Sequence, residues 1–254
     1  MHRNGKRTVV VIPGIGGHPR FHDGLIAALG DAYRVHTAPH VDFFDEPCPD
    51  WNRQVDHWLT QFRLAAAGDP LAGPPALVGI SFGAHVAWDL RLRLPDDAVS
   101  GTVLISYWPL AGWQRHGLGR LRRLPVAGAF AVGTACFRWS QWRAGDLDRL
   151  RRLRRELYDD ESLVRRRLWA RLVSLADAPA APEPVLPPGG RGAGFVYASR
   201  EWPLRAMRRR LGGRLPDGTV VVAGDHSISL DGSAELAGAV QRLIGQPAIR
   251  GDTG

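Results

Sequence analysis

The sequence predicts an α/β chain organised on a mostly parallel, doubly wound sheet of about six strands, with a helical segment inserted between the fourth and the fifth. Three observations carry this reading. Short β-branched runs such as Thr8-Val9-Val10-Val11-Ile12 lack the alternation of a half-exposed strand and read as strands buried on both faces. Stretches of helical spacing separate them. From Tyr107 to Gly192, by contrast, no convincing strand occurs.

Taken in order, the first strand, Thr8–Ile12, runs into Pro13-Gly14-Ile15-Gly16-Gly17, and a helix follows over Phe21–Leu29, closed by Gly30. Tyr33–Thr37 is a second strand and Trp51–Ala67 a second helix. The third strand, Ala76–Val78, leads into Gly79-Ile80-Ser81-Phe82-Gly83 and a helix that stops before Pro95. Val99–Ser106, Phe195–Ala198 and Thr219–Ala223 complete the strands, with helices over Leu204–Leu211 and Ala234–Ile244. Residues 107–192 read as a helical cap within one domain spanning 1–254. Leu147, Leu150, Leu153 and Leu157, then Leu163, Leu168 and Leu172, give the cap its helical spacing, and the Pro/Gly-rich stretch Pro179–Gly194 returns the chain to the sheet.

The Gly-x-Ser-x-Gly stretch between a buried strand and a helix is the sequence form of a nucleophile elbow. A serine at the tip of so tight a turn takes a strained backbone conformation. Its neighbours two residues away must lack side chains so that the backbone can pass. The turn lifts the hydroxyl above the carboxyl edge of the sheet, where the first N–H groups of the next helix also point. The Gly-rich turn after the first strand is not a phosphate loop, because no Lys-Ser/Thr follows and the Gly-x-Gly-x-x-Gly spacing is absent. It reads as an oxyanion loop, with N–H groups exposed by glycines and aimed at the elbow.

No run approaches the ~18–20 apolar residues of a membrane helix. The polar start, Met1–Arg7, shows no secretory signal, and two cysteines, Cys48 and Cys136, make no disulfide framework, so a reduced cytoplasmic protein is expected. The net charge of +8 is concentrated: Trp113–Arg171 holds fifteen Arg and six acids, while the remainder is near neutral. Lys6 is the one lysine, a bias that reflects genomic composition more than function. No nucleic-acid motif accompanies the arginines, so no nucleic-acid partner is expected. His18 and His22, like His36 and His40, are four apart with Asp42, Asp45 and Glu46 near, but they fall across loops and strand ends where that spacing does not align metal ligands. No metal and no cofactor is expected.

With these segments in place the chain resembles an α/β-hydrolase from Val9 to about Ile244, the cap excepted. The resemblance implies a catalytic order of oxyanion loop, nucleophile, acid, histidine. Ser81 matches the nucleophile. His226, in Gly224-Asp225-His226 after the sixth strand, matches the histidine loop. Glu201, in Ser199-Arg200-Glu201-Trp202-Pro203, stands where the acid usually follows the fifth strand, with Glu in place of the usual Asp. Asp225 is the alternative and would have to fold back on its own chain. Asp231 reads as a helix cap, and Asp96 and Asp97 lie at the wrong edge of the sheet. Pro13 stands where a His is common. The N–H groups of Phe82 and Ile15 are the expected oxyanion donors. Gly14, Gly16, His18, His40, His85 and Trp108 are the expected substrate-binding residues.

The resemblance implies a serine hydrolase acting on an acyl ester or thioester, free or bound to CoA or a carrier protein, in outline similar to the stand-alone thioesterases of polyketide or peptide assembly lines. The same groups also suit an acyltransferase, a cyclising enzyme, a non-hydrolytic lyase or a binding scaffold. The Arg-rich cap is either a solvated helix face or an electropositive surface for an acidic acyl carrier protein. Trp108, Trp113, Phe130, Phe137, Trp139 and Trp142 are expected to pack the cap on the core and to wall an apolar acyl pocket.

Overall fold

The computed structural model describes residues 6–43, 47–69, 72–108, 110–122, 152, 155–157, 161–179, 193–226, 228–231 and 234–245. Its centre is a six-stranded, all-parallel sheet in the order β2-β1-β3-β4-β5-β6. The strands are β1 (Thr8–Ile12), β2 (Arg34–Thr37), β3 (Ala76–Ile80), β4 (Gly101–Ile105), β5 (Ala193–Ala198) and β6 (Thr219–Val222). The helices between them are α1 (Asp23–Gly30), α2 (Trp51–Ala67), α3 (Phe82–Arg93), α4 (Gly112–Leu121), α5 (Glu161–Ser174), α6 (Trp202–Arg210), α7 (Ile228–Asp231) and α8 (Ala234–Gly245).

The unbroken apolar runs are explained by burial on both faces. Val10, Ile12, Leu77, Leu104, Phe195 and Tyr197 point into one core with Trp51, Trp58 and Phe62 of α2 and Val86 and Leu90 of α3. Their neighbours Val9, Val11, Val78, Ile80, Val103, Ile105 and Val196 point into the other, with Leu25 and Leu29 of α1 and Leu236 and Val240 of α8. At period two, one strand thus feeds two cores.

Local signals set the helix ends. Asp50 caps α2 by accepting the N–H groups of Asn52 and Arg53 at 2.9 and 3.4 Å. Leu94 is extended (φ −87°, ψ 146°) because Pro95 follows, which ends α3. Pro19 opens a short 3-10 turn, Pro19–His22, so the expected helix from Phe21 becomes that turn followed by α1. β3 runs two residues further than the sequence indicated, to Ile80, because its ladder with β4 continues through Ile80–Ile105.

The insertion between β4 and β5 contains α4 and α5, which pack on each other. Arg122 ties this segment together through Asp177, and it also donates to the carbonyl of Val173 at 3.3 Å. Trp113 corrects an expectation: it lies on α4 with 76% of its surface exposed and packs on nothing in the core. Arg167 and Arg171 of α5 are buried, whereas Arg165 and Arg166 are exposed, so the arginine-rich segment is not simply a solvated face. Phe130, Cys136, Phe137, Trp139, Trp142 and the leucines at 147, 150 and 153 lie outside the described residues, as do Asp45 and Glu46.

Candidate active site

Ser81 has φ 53° and ψ −111°, a backbone conformation that side-chain-bearing residues adopt only under strain. The surroundings hold it there. The Ser81 N–H donates to the carbonyl of Ile105 at 2.8 Å, extending the β3–β4 pairing into the turn. Both flanking glycines are sterically required. A Cβ on Gly79 would stand 2.4 Å from the Gly83 carbonyl oxygen. A Cβ on Gly83 would stand 2.3 Å from the carbonyl oxygen of Ile12 and 2.4 Å from that of Pro13. Closure of this turn brings the end of β1 against the start of α3, where the Phe82 N–H, in the first turn, has no intrahelical acceptor.

Glu201 and His226 meet across β5 and β6. The Nδ1–H of His226 donates to Glu201 Oε2 at 3.0 Å, and Glu201 Oε1 accepts the Ala198 N–H at 2.8 Å. Glu201 is 1% exposed and His226 is 9% exposed. The longer Glu side chain is accommodated because residue 201 sits at the N-cap of α6 (φ −81°, ψ 155°) and curls back to bond the end of β5. With Nδ1–H committed to the carboxylate, the other ring nitrogen of His226 is the basic one.

The loop Pro13–Gly17 follows β1 at the same end of the sheet, and four of its five carbonyls are held by named donors. Pro13 O accepts from His40 Nε2–H at 3.0 Å, Gly14 O accepts the Gly17 N–H at 2.9 Å, and Gly17 O accepts the His40 N–H at 2.8 Å. Ile15 O accepts from Arg171 Nη1 at 2.7 Å. None of these bonds uses the Ile15 N–H.

His22, which the sequence reading did not single out as functional, belongs here. Its Nε2 accepts the Gly14 N–H at 3.0 Å, so that amide is occupied and does not face a ligand. Burial lowers its pKa to about 4, against a smaller upward pull from the Ser229 backbone, and His226 lowers it further. A Cβ on Gly14 would stand 3.4 Å from His22 Nε2 and 3.5 Å from the Ile80 carbonyl oxygen, so His22 and the residue before Ser81 both border this glycine. The only sequence signal for His22 was its distance from the loop, which does not reveal that a ring nitrogen returns to it.

The other expected binding residues divide by role. His40 is 2% exposed, and its Nδ1 accepts the indole N–H of Trp58 at 2.8 Å. Both nitrogens are therefore spent on the protein, and burial holds its pKa well below the usual value, with Arg171 adding to the effect. It braces Pro13 and packs edge-on against Phe82 instead of presenting a polar group to substrate. Gly16 makes room for the Phe21 ring, which a Cβ would approach to 2.9 Å. His18 caps the 3-10 turn through Nδ1, which accepts the Arg20 N–H at 3.1 Å. His85, on α3 one turn after Ser81, is 4% exposed and lies against Tyr107 and Trp108 at ring-centroid distances of 4.7 and 5.1 Å. Burial lowers its pKa to about 3, so it is neutral. Trp108 in turn meets Trp202 edge-on at 5.9 Å, giving the β4 and β5 ends an aromatic wall.

Glu201 is thus the carboxylate at His226 Nδ1, and Asp96 is tied to Arg91 at 2.9 Å. Among the described residues, no three His, Cys, Asp or Glu side chains assemble as a metal-binding group, and no helix is long and apolar enough to cross a membrane. A serine on a strained turn after β3 and an imidazole–carboxylate pair after β5 and β6 thus stand at the carboxyl ends of parallel strands.

The model of the Alpha/beta hydrolase family matches residues 9–239. The chain belongs to the alpha/beta hydrolase family. Several solved structures share its fold at low sequence identity. The enol-lactonase from Burkholderia xenovorans LB400 aligns with a TM-score of 0.66 at 14% identity, covering 97% of this chain and 94% of that one. The type II thioesterase YbtT of the yersiniabactin pathway aligns at 0.63 and 17% identity, covering 96% and 94%. BorB, the type II thioesterase of the borrelidin cluster, aligns at 0.59 and 17%, also covering 96% and 94%. No curated protein matches the chain by sequence.

Proposed function

We propose that this alpha/beta hydrolase is a serine hydrolase that cleaves an acyl ester or thioester through an acyl-serine intermediate. The observation that carries the reading is the buried His226–Glu201 pair, 3.0 Å from Nδ1 to Oε2, at the same sheet edge as the strained Ser81. Ser81 Oγ attacks the acyl carbon as the second ring nitrogen of His226 takes its proton, and Glu201 stabilises the imidazolium. The oxyanion is bound by the N–H groups of Phe82 and Ile15, each worth about 3–4 kcal/mol where buried and well aimed. His226 then returns the proton to the departing thiol or alcohol, and water, activated by the same ring, releases the acid. The chemistry draws on protein groups alone.

A thioester presented by CoA or an acidic acyl carrier protein is the substrate class favoured here. Two of the structural neighbours are type II thioesterases. The charge supports the same choice: Arg205, Arg208, Arg209, Arg210 and Arg214 are all exposed on or just after α6, the helix that Glu201 begins. His85, Tyr107, Trp108 and Trp202 line the apolar side on which the acyl chain rests.

Labelling with a fluorophosphonate, followed by mass spectrometry of the elbow peptide, tests the reading. Modification at Ser81 that disappears in Ser81→Ala and His226→Ala is the expected result. Folded protein that takes up no label overturns it and leaves a binding scaffold. A panel of p-nitrophenyl esters, acyl-CoA and acyl-pantetheine, with water or an added amine as acceptor, separates hydrolysis from transfer.

A further inference from the structure

Arg171 reaches from the inserted segment into the loop after β1. It lies on α5, is wholly buried, and bonds Asp42 Oδ1 through Nε at 2.8 Å and the Ile15 carbonyl through Nη1 at 2.7 Å. Its guanidinium rests on Gly17, where φ is +79° and a Cβ would fall 2.1 Å from Nη1. Ser174 Oγ donates to the Arg171 carbonyl at 2.7 Å, holding the last turn of α5 in place.

As a device for stability alone the pair is a poor one. Both side chains are 0% exposed, and Asp42 Oδ2 and Arg171 Nη2 find no hydrogen-bond partner among the described residues. Two desolvated charges that leave polar atoms unmatched gain little over apolar residues of the same volume. What the pair does accomplish is directional. The peptide before Ile15 is pinned by the Gly14 carbonyl, which accepts the Gly17 N–H, and the peptide after it by the Ile15 carbonyl, which accepts from Arg171. Each peptide is a rigid plane: the Gly14 bond sets the plane that carries the Ile15 N–H, and the Arg171 bond anchors the plane that follows, so that rotation about the Ile15 Cα cannot carry the first plane out of position.

We propose that Arg171 is a positioning residue: by anchoring the peptide after Ile15 it keeps the loop from rotating and so holds the Ile15 N–H toward the oxyanion, and the inserted segment, not the sheet alone, completes the oxyanion site. This rests on the serine-hydrolase reading above. A cap that contributes to the transition state in this way leaves its mark on turnover and not on affinity.

The test compares wild type with the double variant Asp42→Leu/Arg171→Met, which replaces the buried pair by apolar side chains of similar volume, and with Arg171→Lys, which keeps a cation beside Asp42 but cannot span both acceptors. Readouts are p-nitrophenyl butyrate kinetics, the rate of fluorophosphonate labelling at Ser81, and thermal unfolding. The expected result is a cooperative unfolding transition in both variants. The kcat and labelling rate fall on the order of 10²-fold in the double variant, with KM within about twofold. Arg171→Lys falls less far in the same direction, and supplies the readout alone if the double variant does not fold. Wild-type kcat in folded variants, or a change confined to KM, overturns the proposal and makes Arg171 a cap-to-core tie only. Wild type that is never labelled at Ser81 overturns the hydrolase reading itself, and this inference with it.

Discussion

Glu201 is bonded at both oxygens, one to the Nδ1–H of His226 at 3.0 Å and the other to the Ala198 N–H at 2.8 Å. The carboxylate therefore cannot swing away from the imidazole without giving up a buried backbone bond. In Glu201→Gln the amide oxygen keeps one of these bonds, while its NH₂ donates to Nδ1 and imposes the tautomer with a proton on the other nitrogen. That ring cannot accept the Ser81 proton. Acylation measured with p-nitrophenyl butyrate is expected to fall about 10³–10⁴-fold, with near-UV circular dichroism unchanged. Undiminished acylation would show that Glu201 is not the acid.

The elbow glycines predict a sharp contrast in stability. Gly83→Ala forces a methyl into the carbonyls of Ile12 and Pro13, both backbone atoms of a buried strand end, and is expected to destabilise by about 1–3 kcal/mol or more. Gly117→Ala, in open space on α4, is expected to stabilise by about 0.5–1 kcal/mol, because alanine suits a helix better than glycine. Urea unfolding of the two variants checks both signs.

Three histidines set the acid limit of the fold. Burial lowers the pKa of His22 to about 4 and of His85 to about 3, and holds His40 well below 6.5. In the unfolded chain each titrates near 6.5. Between that value and the folded pKa the unfolded state binds more protons, so stability is fully present above about pH 6.5 and is lost as pH falls toward about 4 and below. Melting temperatures recorded from pH 7 to pH 4 are expected to decline progressively. His85→Phe, which keeps the aromatic contact with Tyr107 and Trp108, should flatten part of that decline. A flat profile in the wild type would mean that these rings are not held neutral.

The α6 arginines predict a salt effect specific to the carrier. Replacing Arg205, Arg208 and Arg209 with Glu is expected to lower kcat/KM on an acyl carrier protein substrate about tenfold at low ionic strength, and to leave p-nitrophenyl ester hydrolysis unchanged. Wild-type rates on the carrier substrate should fall as salt rises. Carrier rates indifferent to both changes would remove α6 as a docking surface.

The sheet was legible in the sequence because its strands are buried on both faces, which leaves β-branched runs that need no partner to be recognised. The elbow was legible for a related reason: Gly79 and Gly83 are demanded by contacts that reach only across the turn and the adjoining strand end. Glu201 could be named from its place after β5, though not the second bond to Ala198 that explains why Glu suits the site. His22, His40 and Arg171 were not legible in their actual roles. Each acts on the loop after β1 from 8, 27 and 156 residues away in the chain, by way of Gly14, Pro13 and Ile15. No local spacing encodes such a meeting. Arg171 was further hidden by its neighbours, since a buried arginine in a segment of fifteen looks like part of a charge run.

The strand order β2-β1-β3-β4-β5-β6 has a consequence for synthesis. Once β3 has joined β1, each later strand docks on the outer side of its predecessor, and the whole insertion must be made before β5 arrives to cover β4. The growing polypeptide thus carries a bare apolar border for the time it takes a ribosome to deliver that insertion, and the imidazole reaches the rim last. A fragment ending inside the insertion would hold the serine without its base and an unmatched strand edge prone to self-association.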